Sequence, residues 1–153
     1  MPNIKLLYLI DPYTHYPKWA STRAKDRRYW PEDLEIIHYE AEKLLYPFKS
    51  RVKWILKFFE ECTKNDVPQP LDFIYIDGSH AYKHVIKDLF LAAKLVKKGG
   101  VIGGHDAGCL DIEKATEEFC KAKHVKRLVG NNGLFSVHGV LKCQGWDWWI
   151  ING

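Results

Sequence analysis

Apolar runs in this chain repeatedly stop at polar groups. Residues 4–10, IKLLYLI, form a short apolar run closed by Asp11-Pro12 and read as a buried strand. From Asp33 a helical period begins, with Leu34, Ile37, Ala41, Leu44 and Leu45 on one face, and Pro47 ends it. RVKWIL (51–56) is a second strand, FFEECTKN a short helix, and LDFIYI (71–76) a third strand that stops at Asp77-Gly78-Ser79-His80. Residues 81–97 read as a helix, with Val85, Leu89, Ala92 and Val96 at helical spacing and Gly99-Gly100 as its C-cap. VIGG (101–104) is a strand ending on His105-Asp106. Asp111 is the expected cap of a helix whose inner face is Ile112, Ala115, Phe119 and Ala122. HVKRLV and LFSVHG then flank Gly130-Asn131-Asn132-Gly133, a hairpin turn, and the tail WDWWIING adds an edge strand or packs its rings over a seam.

Strands that alternate with helices argue for a parallel sheet covered by helices, the α/β class, here with a C-terminal antiparallel hairpin. In such a sheet, ligands bind beyond the carboxyl ends of the strands. Asp11, Asp77 and His105-Asp106 all fall at that edge. One acid after a strand is an ordinary turn former. Three such strand ends, with His80 and His105 beside them, indicate a site.

The spacing suggests its chemistry. Asp77 and Asp106, at the ends of successive strands, can converge on one hard divalent cation through carboxylate oxygens. His80 lies one turn beyond Asp77 and is a candidate general base, because imidazole titrates near working pH. His105 is either a ligand or a core residue, and a nitrogen ligand suits manganese, iron or zinc better than magnesium. Gly78, Gly103 and Gly104 would allow the backbone to approach a ligand closely.

At 153 residues the chain is expected to be one domain, with 46% hydrophobic and 27% charged residues. Its net charge of +4 is spread along helices rather than clustered, so no nucleic-acid partner is expected. No run reaches the ~18 apolar residues of a membrane span. The four cysteines form no CxxC pair, which argues against a zinc finger and for free thiols in a reducing, cytoplasmic setting. The loop at 12–31, with Trp19, Arg23, Lys25, Arg27, Arg28, Tyr29 and Trp30, is a lid over an acidic or sugar-like acceptor or a solvated charged loop. His15, His38, His84, His124 and His138 read as surface residues.

YLIDPY (8–13), the long block DFIYIDGSHAYKHVIKDLFLAAKLVKKGGVIGGHD (72–106) and the late WWI together resemble the class I S-adenosylmethionine-dependent methyltransferases. The nearest branch is the small-molecule O-methyltransferase-like group carrying IDG-x-H-x-Y and GG-x-x-x-G-HD. The resemblance implies a Rossmann-like sheet, S-adenosylmethionine as cofactor and a small-molecule or sugar hydroxyl as methyl acceptor. By the same resemblance Asp11 holds the cofactor ribose and Gly78 lies at the cofactor. Asp77, His105 and Asp106 bind a divalent metal such as Mg or Mn, and His80 takes the acceptor proton. The family's first strand, Gly-rich turn and first helix have no counterpart here, so residues 1–153 read as a truncated methyltransferase-like domain. That strand normally lies between the two that end at Asp11 and Asp77. Either those two pair directly, or another chain fills the gap, as in a homodimer that completes the sheet. A non-catalytic module acting through oligomerisation or partner binding is the alternative function, and a metal-dependent hydrolase the third.

Overall fold

The computed structural model describes residues 4–14, 31–130, 136–137, 140–141 and 147–153. The backbone groups into two compact units, residues 1–66 and 67–153.

In the first unit, strand β1 (Leu7–Ile10) lies parallel to β2 (Val52–Ile55), with Leu7 opposite Val52 and Ile10 opposite Ile55. Asp11 extends this ladder by one bond, its N–H donating to Ile55 O at 3.2 Å. Helix α1 (Pro31–Leu45) runs into a 3-10 segment, Tyr46–Arg51, with Pro47 near its start. The face expected to be buried is only partly so: Ile37 and Leu44 are exposed, while Leu34, Ala41 and Leu45 are half-buried. The expected helix at FFEECTKN is a single 3-10 turn, Phe59–Glu61.

The second unit is built on a four-stranded mixed sheet of order β3-β4-β8-β5. Strand β3 (Leu71–Ile76) is parallel to β4 (Val96–Gly104), joined through helix α2 (Tyr82–Leu95). Helix α3 (Leu110–Lys123) leads to β5 (Arg127–Val129). Strands β6 (Ser136–Val137) and β7 (Val140–Leu141) form a separate antiparallel pair. Strand β8 (Trp148–Ile151) runs antiparallel to both β4 and β5. The α/β fold with an antiparallel C-terminal part is therefore as the sequence pattern predicts.

One face of this sheet carries Ile102, Trp148 and Ile150, all buried, and with Val85, Leu89, Ala92, Ile112, Ala115 and Phe119 of the helices they form the core. The other face carries Phe73, Tyr75 and Trp149, whose ring centroids lie 6.0 to 6.3 Å apart.

Four expectations are corrected. The tail is not an edge strand: β8 lies between β4 and β5, because its Trp-Ile alternation fits a position buried on one face. Helix α2 ends at Leu95, and Gly99-Gly100 falls within β4 rather than capping the helix. Gly99, at φ +76, allows a bulge there, which Asn152 clasps through its backbone while its Nδ2 donates to Ala93 O and Val96 O. Asp111 does not cap its own helix, whose N-cap is Cys109, and Ala122 is exposed. Gly103 and Gly104 do not leave room for a ligand. A Cβ on either would come within 2.4 Å of Trp149 or Trp148, so the space belongs to the protein's own indoles. The turn at 131–133 and the loop side chains Trp19 to Trp30 lie outside the described residues.

Candidate functional site

The register of two strands creates the site in the second unit. Ile76 pairs with Gly104, so β3 and β4 end side by side, and His105 N–H donates to Ile76 O at 3.2 Å. The next residue of each strand after these pairings begins a loop: Asp77-Gly78-Ser79-His80 on one, His105-Asp106 on the other. Asp106 sits in the left-handed region at φ 56, a conformation that Asp tolerates better than most residues. The turn closes with Cys109 N–H donating to Asp106 O at 2.8 Å. From β8, the Trp148 indole N–H donates to His105 O at 3.0 Å and fixes the backbone just before Asp106.

Asp106 lies between two imidazoles. Its Oδ2 is 3.0 Å from His80 Nε2, and its Oδ1 is 3.2 Å from His105 Nδ1. One ligand atom each from Asp77, His80 and Asp106 fall within 4.8 Å of one another, a span suited to a single divalent cation. His105 contacts Asp106 but is not in that trio, and its half-exposed ring does not enter the core. The depression around these groups has a polar rim and an apolar floor of Val85, Ile112 and Trp148. Gly78 faces open space, with nothing within 4 Å of where a Cβ would stand.

On the opposite face of the sheet the Tyr75 hydroxyl donates to Asp147 Oδ1 at 2.7 Å. Burial pushes its phenol well above the usual tyrosine range. The bond to Asp147 and the negative charges of Asp147, Asp77 and Asp106 add to this.

Asp11 belongs to the first unit. It is exposed at the end of β1, and its Oδ1 accepts the Tyr13 N–H at 2.6 Å. His38, expected at the surface, is instead half-buried, its ring 4.4 Å from Tyr13 and 5.0 Å from Trp54. His84 is buried on α2 and His124 exposed at the end of α3, while His15 and His138 lie outside the described residues. Sequence reasoning named Trp148 only as a packing ring and Asp111 only as the cap of its own helix, and so missed the Trp148 bond to His105 O and the Asp111 carboxylate that accepts the Tyr82 N–H. The signal for the first was present, since a Gly-Gly pair on one strand and a Trp-Trp pair on another are complementary in volume.

A family model described as "Methyltransferase domain" matches residues 3–107, which include Asp11, Asp77, Gly78, His80, His105 and Asp106 but not Ile112 or Trp148. The chain belongs to the methyltransferase-domain family. No curated protein matched this methyltransferase domain. Among solved structures it is similar to a presumed rRNA methylase from Clostridium thermocellum, at 17% identity and TM-score 0.53, over 74% of this chain and 65% of that one. It is also similar to an S-adenosylmethionine-dependent O-methyltransferase from Thermotoga maritima, at 13% identity and TM-score 0.56, over 97% and 60%. A presumed methyltransferase from Streptococcus mutans, in complex with SAH, aligns at 14% identity and TM-score 0.51, over 95% and 87%. At these identities the likeness is one of fold. The methyltransferase domain spans less than two thirds of the length of the Clostridium and Thermotoga proteins. No helix among its described residues is long and apolar enough to cross a membrane.

Proposed function

We propose that this chain is an S-adenosylmethionine-dependent methyltransferase that methylates a hydroxyl of a small molecule or sugar, assisted by a divalent metal such as Mg or Mn. The observation that carries the reading is the convergence of Asp77, His80 and Asp106 at the carboxyl ends of β3 and β4. The donor set fits a cation: two carboxylates supply hard oxygens, and the nitrogen donors beside them are His80, within the trio, and His105, which adjoins Asp106 outside it. Asp11 fits a ribose, because its exposed carboxylate has one oxygen fixed by Tyr13 N–H and accepts only, as sugar hydroxyls require.

S-adenosylmethionine supplies an electrophilic methyl group and a divalent ion supplies Lewis acidity; the remaining work falls to this chain's side chains. Asp106 holds the His80 ring through Nε2, which leaves Nδ1 as the basic nitrogen. That nitrogen takes the proton from the acceptor hydroxyl as its oxygen becomes nucleophilic. The apolar floor of Val85, Ile112 and Trp148 limits water beneath these groups.

The test is calorimetric titration of the purified chain with S-adenosylmethionine, with and without Mn2+. Saturable binding that Asp11→Ala removes supports the reading. A folded chain that takes up no cofactor at millimolar concentration overturns it.

A second reading, a non-catalytic module of the same fold that joins a further copy of itself, draws on the strand order. Among the described residues β1 pairs only with β2, and β3 only with β4. Such edges expose backbone donors and acceptors that a second chain can satisfy. Sedimentation equilibrium separates the two readings: this one requires a dimer and no cofactor affinity.

A further inference from the structure

The carboxylate of Asp11 depends on a neighbouring ring. Asp11 ends β1, and its backbone is held by its bond to Ile55 O. The exposed side chain would still sample several rotamers. Among the described residues, the Tyr13 N–H, at 2.6 Å from Oδ1, is what restrains it. Pro12 lies between the two and has no N–H to offer. Tyr13 itself adopts φ 47 at the point where its N–H meets Asp11. For a residue with a bulky side chain that left-handed geometry costs about 1–2 kcal/mol. Something must therefore hold Tyr13 there.

The surrounding rings do so. The Tyr13 ring lies 4.4 Å from His38 of α1 and 6.3 Å from Trp54 of β2, and His38 meets Trp54 edge-on at 5.0 Å. The Glu42 carboxylate lies one turn on, 3.6 Å from His38 Nε2 and beyond hydrogen-bond distance, so what holds His38 is its packing against Tyr13 and Trp54. Burial, then the charges of Asp11 and Glu42, raise the Tyr13 phenol, so the ring stays neutral.

We infer that Tyr13, packed on His38 with Trp54 behind it, is a positioning residue that fixes the Asp11 carboxylate for the cofactor's ribose hydroxyls. This rests on the reading of Asp11 given above and adds α1 and β2 to the recognition of the cofactor.

The experiment compares S-adenosylmethionine affinity by calorimetry for the full chain and for Asp11→Ala, Tyr13→Phe, Tyr13→Ala, Tyr13→Gly and His38→Ala. Tyr13→Phe keeps the ring and the backbone N–H and is expected to bind within about twofold of wild type, whereas Tyr13→Ala and His38→Ala should bind about tenfold more weakly. Tyr13→Gly takes up the left-handed geometry without strain, so it folds while lacking the ring, and the same tenfold loss is expected. Wild-type affinity in Tyr13→Gly, or a loss in Tyr13→Phe equal to that of Tyr13→Ala, overturns the role of Tyr13 while leaving that of Asp11 standing. Unchanged affinity in Asp11→Ala, or no binding by the wild-type chain, overturns the parent reading and this inference with it.

Discussion

Asp111, in the first turn of α3, accepts the backbone N–H of Tyr82, the first residue of α2, at 3.1 Å. Helix α2 has no side-chain cap of its own, since Ala81 occupies the N-cap. One helix thus caps another, and the two loops joined this way carry His80 and Asp106. Asp111→Ala should lower stability by about 1 kcal/mol, the usual worth of a cap, measured by urea denaturation. It should also weaken Mn2+ binding, while Asp111→Asn, which retains an acceptor oxygen, keeps most of both.

Glycine substitutions should separate packing from ligand approach. A Cβ on Gly104 would stand 2.4 Å from Trp148 Cζ2 and 2.6 Å from Ile76 O, and the backbone oxygen cannot give way. Gly104→Ala is expected to cost about 1–3 kcal/mol or more in urea unfolding. Gly78→Ala, with open space around it, should leave stability within about 0.5 kcal/mol. Weaker cofactor binding by an equally stable Gly78→Ala would support its place beside the cofactor; unchanged binding would remove it from the site.

The roles of His80 and the two acids can be told apart by metal binding. Asp77→Ala and Asp106→Ala should abolish Mn2+ binding followed by electron paramagnetic resonance. His80→Ala should retain it, yet lower methyl transfer to a panel of phenols and sugars by about 10²–10⁴-fold. Loss of Mn2+ from His80→Ala would instead make His80 a ligand.

Tyr75 gives a pH dependence whose sign is fixed. Its phenol is raised above the ordinary value of 10.0 in the folded chain, so the protonated form is favoured by folding. That contribution is complete below about pH 10 and is lost as the pH rises further, because the unfolded chain releases the proton first. Thermal melts from pH 8 to 11 should show stability falling above pH 10, less steeply in Tyr75→Phe. Tyr13 and Tyr82 shift the same way and account for what remains.

The strand LDFIYI was legible to the residue, because an apolar run closed by Asp-Gly has few other solutions. The inner face of α2 was equally plain: Val85, Leu89 and Ala92 recur at helical spacing and all are buried. Asp77, His80 and Asp106 could be proposed together because strand ends share one rim. From sequence, His105 stands with the two acids and His80 apart as a base; that His80 joins the acids while His105 lies beside Asp106 turns on loop geometry, including the left-handed φ of Asp106, which no periodicity encodes. The position of β8 was hidden for a different reason. A strand inserted between two others from far along the chain is set by tertiary pairing, and WWII reads equally well as an edge. His38 was misread as a surface residue because its partners, Tyr13 and Trp54, lie on other elements.

The hydrogen bond from Trp148 to His105 also sets an order in time. A ribosome adds about 5–20 residues per second, so the two acids and both imidazoles emerge seconds before the indole that steadies them. Until then β4 has no partner on its far side, and the loop bearing Asp106 lacks its anchor. The nascent chain therefore carries every polar group of the site before it has the site. Its assembly waits for a strand that follows α3 and β5 in the chain, and a protease cut just ahead of Trp148 would undo it with all those groups still present.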